Sequence, residues 1–233
     1  MNMKGIKETA KTLFLAVDII PHKDFPFIVS HPFTQTVMTG VEVNGKMEMI
    51  DITDENNYEK WKHFVFDCVD RANDFSRILM MIGKPWRLTF LKYAKDYLDS
   101  ETFASSFSLC WVDSENPNMD ANVSIKEFIS WFKKADKEIL MEKEDYEIWK
   151  SLPEEFTVYR GVSNGRAEYG LSWTRNYDTA NWFANRFGEG YVLEAKINKK
   201  HALAYLNSRG EDEVVVDVRA IKSLIKRVGK ETK

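Results

Sequence analysis

Three short islands in the last third of the chain decide the fold prediction: Val158-Tyr159-Arg160-Gly161, Leu171-Ser172-Trp173-Thr174, and Glu211-Asp212-Glu213 running into Val214-Val215-Val216. Each island lies on or beside a run of β-branched and aromatic residues, which is typical of a strand. Residues two apart in a strand share a face, so Ser172 and Thr174 would present two hydroxyls together. An arginine, a hydroxyl pair and two carboxylates are groups that can hold a dinucleotide and break a glycosidic bond.

Further strand and helix signals surround the islands. Strands are predicted at residues 156–162, 191–197 and 213–218, with a helix from Asp178, as its cap, to residue 187. Upstream, apolar residues at helical spacing predict a long helix over 57–82, then helices over 86–98 and 103–112. Ser124 and Glu127 match a capping box that starts a further helical region, which ends at Leu152-Pro153. The polar segment 114–120 either lines a cleft or merely connects two helices.

The first 54 residues are less uniform. Apolar residues from Ile6 to Val17 have helical spacing, but Ile19-Ile20 before Pro21 could equally end a strand, and both readings stay open. Residues 41–49 alternate around Asn44-Gly45, which predicts a β-hairpin because both central positions of a type I′ turn need positive φ.

Together these patterns predict an α+β protein. An N-terminal segment with a β-hairpin (1–54) and a helical region (55–152) precede a strand-rich core (153–233). The core is short for independent stability, so residues 55–233 are expected to form one folding unit.

Composition narrows the class of protein. The 233 residues carry a formal net charge of -3, which does not favour a protein devoted to gripping nucleic acid. Cys68 and Cys110 lie in apolar stretches and are predicted to be free thiols in a reducing, cytoplasmic setting. The short apolar run at residues 13–17 is too short for a membrane span. The histidines are scattered, so no histidine metal site is expected: His22, His31, His63 and His201.

The islands suggest specific chemistry. Glu211 and Glu213 would lie side by side only if Glu211 is already extended, and each would then raise the pKa of the other. The planar fork of Arg160 suits phosphate oxygens, and Gly161 allows close backbone approach. Several aromatic residues at helical spacing are instead predicted to be core: Phe107, Trp111, Phe128, Trp131, Trp182, Phe183 and Phe187.

Taken in order, the islands resemble the Arg–Ser–Glu class of mono-ADP-ribosyltransferases, including short proteins of bacteria and their viruses. The resemblance implies a core of packed mixed, mostly antiparallel sheets, with NAD as substrate and no metal. By this resemblance, Arg160 would support the phosphate and ribose of NAD, and Gly161 would help to hold the nicotinamide amide. Ser172 would orient the catalytic glutamate. Glu213 would contact the nicotinamide ribose, and Glu211 would activate the acceptor. Thr174 is a further NAD-binding candidate. Ser172-Trp173-Thr174 departs from the usual Ser-Thr-Ser but keeps the first hydroxyl.

The implied activity is cleavage of the nicotinamide glycosidic bond of NAD and transfer of ADP-ribose to a macromolecule. Glutamate at the first acidic position resembles the arginine-modifying members, which favours a protein arginine, although a nucleic acid acceptor stays open. Two alternatives remain: an NAD glycohydrolase that uses water, and an inactive binding module with the same fold.

Overall fold

The computed structural model describes residues 1–43 and 45–228. The predicted α+β class is confirmed: the described residues form ten α-helices, two two-stranded sheets and one six-stranded sheet. The chain divides into two compact units, Met1–Ser106 and Phe107–Lys233. The boundary between the two units lies inside the predicted helical region 55–152.

The first unit combines helices with two short hairpins. The N-terminal stretch is a helix, which decides between the two readings of its sequence. The helices and strands of the first unit are α1 Met3–Leu15, β1 Ile28–His31, β2 Thr34–Thr36, β3 Met38–Val43, β4 Lys46–Asp51, α2 Glu55–Arg71, α3 Phe75–Met81 and α4 Arg87–Ala94. The buried Phe14 ring lies 4.6 Å from the Trp61 ring and 4.9 Å from the His31 ring, centroid to centroid. An aromatic cluster therefore forms the centre of this unit.

The single helix predicted over 57–82 is wrong, because the chain breaks between α2 and α3. Ala72 is extended (φ -65°, ψ 132°), and the Asp74 carboxylate accepts a hydrogen bond from the Arg77 amide as the cap of α3. Short polar side chains compete with the helical ladder in this way. The apolar spacing continues across the break because both helices bury one face, so periodicity alone did not reveal it.

The predicted hairpin is confirmed in its strands. β3 and β4 pair antiparallel from Met38 opposite Asp51 to Val43 opposite Lys46. Gly45 has φ 75°, the left-handed conformation that a tight turn requires, whereas Asn44 lies outside the described residues. Across residues 1–43 and 45–228, no helix is both long enough and apolar enough to cross a membrane.

The second unit begins within α5, Ser100–Asp113, and continues with α6 Ile125–Lys134, α7 Lys137–Leu140 and α8 Lys143–Ser151. The predicted capping box of Ser124 and Glu127 is present at the start of α6. The predicted core position of Trp111 is confirmed, since its ring packs edge-on against Phe128 at 5.3 Å and Phe132 at 4.9 Å. Cys110 is buried and Cys68, in the first unit, is half-buried, both as free thiols.

The six-stranded sheet places the three islands on adjacent strands. Its strands are β5 Glu155–Val162, β6 Ser172–Thr174, β7 Tyr191–Asn198, β8 Ala202–Leu206, β9 Glu213–Val216 and β10 Lys226–Val228. They run in the order β10-β7-β5-β6-β9-β8, with five antiparallel pairs. The strand predicted over 213–218 ends sooner, at Val216, because α10 Val218–Ile221 follows β9.

Helix α9, Tyr177–Asn185, crosses β5 and corrects two predictions. Asn176, not Asp178, is its cap, accepting hydrogen bonds from the amides of residues 178 and 179. Trp182 and Phe187 are 57% and 53% exposed, so their predicted place in the core is wrong. The buried face consists of Ala180 and Ala184, since only small residues let the helix approach the strand closely.

Candidate active site

The site is a cleft where β5 and β6 separate. Among the described residues, these strands pair only at Tyr159 opposite Thr174. Beyond that pair, Arg160, Gly161, Ser172 and Glu213 line one cleft. Its enclosed volume is about 150 Å³. Small-molecule sites usually enclose roughly 300–1,000 Å³, so a dinucleotide would lie partly outside the enclosed space.

Arg160 holds the strands and loop around the cleft. Its Nη1 donates to the Ser172 carbonyl (2.7 Å), its Nη2 to the Ala167 carbonyl (2.7 Å) and its Nε to the Glu168 carbonyl (3.2 Å). These bonds use three of the five N–H groups of the guanidinium. Burial lowers the pKa of Arg160 to about 10, while the nearby Glu213 carboxylate acts in the opposite direction. Arg160 is therefore foremost a brace between β5 and the chain leading into β6.

Two glycines make this arrangement possible. A Cβ on Gly161 would lie 2.0 Å from the Ala180 carbonyl oxygen, so glycine is required for α9 to pack on β5. A Cβ on Gly170 would lie 2.4 Å from Nη2 of Arg160. The predicted close approach at Gly161 is thus used by the protein's own helix on one side, while the residue also lines the cleft.

Glu213 is a half-buried acidic residue that lines the cleft. Its Oε1 accepts a hydrogen bond from the Trp111 indole Nε1 at 3.2 Å. Burial raises the pKa of Glu213, hydrogen bonds from Ser172 and Trp111 lower it in part, and the charge of Glu211 raises it further. Two donors thus hold one carboxylate in a poorly solvated position, as an electrostatic catalyst requires.

Asn118, in the loop 114–120, orients the Ser172 hydroxyl. Its Oδ1 accepts from the Leu171 amide at 2.6 Å, and its Nδ2 donates to Ser172 Oγ at 3.1 Å. A backbone N–H can only donate, which fixes which end of the Asn118 amide faces Ser172. Ser172 Oγ therefore accepts from Asn118, and the Ser172 side chain also interacts with the Glu213 carboxylate and lowers its pKa.

Glu211 lines the cleft from a bend before β9, and not from the strand position that would place it beside Glu213. Asp212 between the two glutamates has φ 50°, so the extended strand does not reach back to Glu211. The turn is held by Asp212, which pairs with Arg175 (Nη2 to Oδ1, 2.8 Å) and accepts from the Tyr205 hydroxyl (2.6 Å). Both glutamates still line the cleft, and burial raises the pKa of Glu211 although Arg209 and Arg186 lower it.

Thr174 is buried, 5% exposed, and its Oγ1 accepts a hydrogen bond from the Asn176 amide at 3.0 Å. It lines the cleft. The observed role of its hydroxyl is local: it shapes the turn from β6 into α9.

Several cleft residues have no counterpart in the islands. Trp111 donates to Glu213 from α5, and Asn118 donates to Ser172 from the 114–120 loop. The sequence predicts Trp111 as a core residue, and its helical spacing gives no sign of this second contact. The charged residues of the rim lie mostly in loops: Glu115, Arg166, Arg186 and Arg209. For Asn118, the sequence signal is the turn-forming composition of segment 114–120, which fits a cleft lining and a helix connector equally well. Loop residues at the rim carry no periodicity, so only the tertiary structure brings them together.

Across residues 1–43 and 45–228, no group of three or more His, Cys, Asp or Glu side chains is arranged to hold a metal ion. No family model, curated protein or solved structure matches the chain. The site is thus defined by its own geometry: a half-buried, poorly solvated carboxylate, an arginine that links β5 to the chain leading into β6, and a charged rim.

Proposed function

We propose that the chain is an NAD-dependent mono-ADP-ribosyltransferase with an ADP-ribosyltransferase-like sheet core. The observation that carries this proposal is the setting of Glu213, a poorly solvated carboxylate held by Ser172 and Trp111 in a cleft that also contains Arg160. Breaking a glycosidic bond develops positive charge on the sugar, which a fixed carboxylate in a water-poor site stabilises.

The proposed reaction assigns each carboxylate one task. As the bond between ribose C1′ and the nicotinamide nitrogen breaks, its electron pair leaves with neutral nicotinamide, and Glu213 stabilises the oxocarbenium-like charge at C1′. A nitrogen of the acceptor then supplies the electron pair for the new bond to C1′. Glu211 accepts the proton that this nitrogen loses.

The proposed acceptor is an arginine side chain of a protein. A protonated guanidinium is a poor nucleophile, so transfer to it requires a carboxylate placed to take its proton. Glu211 lies at the cleft, and burial raises its pKa, which makes it a better base than an exposed glutamate. Mass spectrometry of labelled targets tests this assignment, and modification confined to nucleotides or to other side chains contradicts it.

One observation favours an NAD glycohydrolase as a second candidate. Glu211 lies in a turn and not beside Glu213 on the strand, so the sheet does not fix the geometry between the two carboxylates. Cleavage of NAD followed by attack of water needs Glu213 but no positioned acceptor.

The decisive experiment combines labelled NAD, the full chain and a cell lysate, and measures released nicotinamide and labelled macromolecules separately. A transferase gives both products, whereas a glycohydrolase gives nicotinamide and free ADP-ribose without labelled protein. Glu213→Gln should abolish both signals, and Glu189→Gln, an exposed glutamate away from the cleft lining, is the matched control. Retention of nicotinamide release in Glu213→Gln contradicts the proposal.

Metal independence is tested by calorimetry. NAD should bind equally well before and after treatment with a chelator. Loss of binding with the chelator, or no binding at high protein concentration, counts against the proposed site.

A further inference from the structure

Two arginines of the rim converge on one exposed aromatic ring. The guanidinium carbons of Arg166 and Arg186 lie 5.4 Å and 5.0 Å from the ring centroid of Phe187. Arg186 also lies 5.3 Å from the ring of Trp182. Contacts of this kind hold a guanidinium plane in place while leaving its N–H groups free to donate.

These arginines differ from Arg160 in what they already bind. In the described part of the chain, Arg166 takes part in no ion pair, and Arg186 pairs with Glu115 at 3.9 Å. The Glu115 side chain is 75% exposed, and exposed pairs at such a distance are weak. Arg160, by contrast, already donates three of its N–H groups to carbonyls.

Positive charge accumulates on this side of the cleft. Arg166 is near enough to Arg160 to lower the pKa of that buried guanidinium. Arg186 acts on Glu211 and lowers its pKa, so its charge also reaches the cleft. An anion with several oxygen atoms, placed between Arg166 and Arg186, would relieve the repulsion and meet two guanidinium forks.

We propose that Arg166 and Arg186 bind the diphosphate group of a nucleotide at the rim of the cleft. This inference rests on the proposed function. It assigns diphosphate binding to Arg166 and Arg186, whereas Arg160 has the structural role of linking β5 to the chain that leads into β6. A nucleotide that reaches Glu213 from this rim would extend beyond the small enclosed volume, as the size of the cleft requires.

The rim favours a small nucleotide over a long nucleic acid. Glu115 and Glu211 lie in the same lining as the two arginines, and the chain has a net charge of -3. A polyanion running across the rim would meet these carboxylates, whereas a single diphosphate would contact only the arginine pair.

The test is calorimetric titration of the full chain with ADP, AMP and inorganic pyrophosphate at several salt concentrations. Arg166→Gln and Arg186→Gln should each weaken ADP binding on the order of tenfold, and the double variant more, because each removes charge-assisted hydrogen bonds. Arg219→Gln, an exposed arginine of α10, is the matched control and should bind like the native chain. ADP should bind more tightly than AMP, and salt should weaken binding less in the double variant.

Three results would overturn the inference: unchanged ADP affinity in the folded double variant, equal affinity for ADP and AMP, or tighter binding of a single-stranded oligonucleotide than of ADP. Thermal unfolding of each variant separates loss of binding from loss of fold. ADP binding involves no bond cleavage, so its dependence on Arg166 and Arg186 can hold even if NAD is not turned over. Conversely, NAD cleavage that is unaffected in the double variant leaves the proposed function intact and refutes this inference.

Discussion

The floor and the rim of the cleft use the same residue types in opposite ways. On the floor, Arg160, Ser172 and Glu213 are bound to carbonyls, to an amide and to an indole of the protein itself. At the rim, Arg166 and Arg186 lie over the Phe187 ring, which leaves N–H groups of both guanidinium groups able to donate to a ligand. Under the proposed function, the residues that make the motif recognisable would differ from the residues that bind the diphosphate. We expect floor substitutions to change chemistry or stability, and rim substitutions to change binding.

The largest effect is expected for Glu213→Gln. Nicotinamide release should fall about a thousandfold, because electrostatic and acid–base roles of one group are typically worth a hundredfold to a thousandfold or more. The free energy of unfolding, by contrast, should be higher in Glu213→Gln than in the native chain once the pH is high enough to ionise Glu213. Burial raises the pKa of Glu213, so the folded chain binds the proton more tightly than the unfolded chain. The free energy of unfolding then falls as pH rises from the ordinary glutamate range to the raised value.

Thermal unfolding as a function of pH checks the stability half of this prediction. Above that pH window Glu213→Gln should unfold at a higher temperature than the native chain, and below it the difference should vanish. Lower stability of the variant at neutral pH would show that Glu213 is a structural anchor.

The brace is tested by Arg160→Gln. Two of the carbonyls that lose a donor belong to the half-buried residues Ala167 and Ser172, and each unsatisfied buried acceptor costs about 1–3 kcal/mol, so the free energy of unfolding should fall by about 2 kcal/mol or more. Denaturant titration measures this, with Arg166→Gln as the rim counterpart that should lose little. A stable Arg160→Gln that binds ADP a hundredfold more weakly would reverse the comparison between floor and rim.

Glu211→Gln should separate the two half-reactions. Transfer to an acceptor should fall about a hundredfold, as for loss of a general base, while slow NAD hydrolysis persists. Parallel assays of labelled protein and released nicotinamide check it. Equal losses in both assays would contradict separate tasks for Glu211 and Glu213.

The smallest effect is expected for Asn118→Ala, which leaves the Ser172 hydroxyl free to rotate. Loss of one neutral hydrogen bond is worth about 1 kcal/mol, so activity should fall about fivefold. Because Ser172 then donates less to Glu213, the pKa of Glu213 should rise, and the acidic limb of the pH–rate profile should move to higher pH. Asn118→Asp keeps the acceptor for the Leu171 amide but loses the donor to Ser172, so it should behave like the alanine variant. A merely structural role for Asn118 would leave the pH profile in place.

Local signals found most of the elements. The capping box at Ser124, the strand at β5 and the β3–β4 hairpin follow from residue types at fixed spacing, so sequence alone predicted them. The prediction of a single helix over 57–82 was wrong because α2 and α3 each bury one face, and their apolar residues keep the same spacing across the break between them. The predicted core position of Trp182 was wrong because α9 packs closely on Gly161 through Ala180, which leaves the Trp182 ring exposed to solvent.

For the site, the sequence by itself determined the order of arginine, hydroxyl and carboxylate on three strands, because strand propensity and the positions of Arg160, Ser172 and Glu213 are local properties of the chain. Only the tertiary structure decided what those groups contact. The strand order β5-β6-β9 brings the three islands together, and α5 and the 114–120 loop bring Trp111 and Asn118 to them. Such contacts join residues far apart in the sequence. They depend on how helices and loops pack on the sheet, which no spacing within one segment can express.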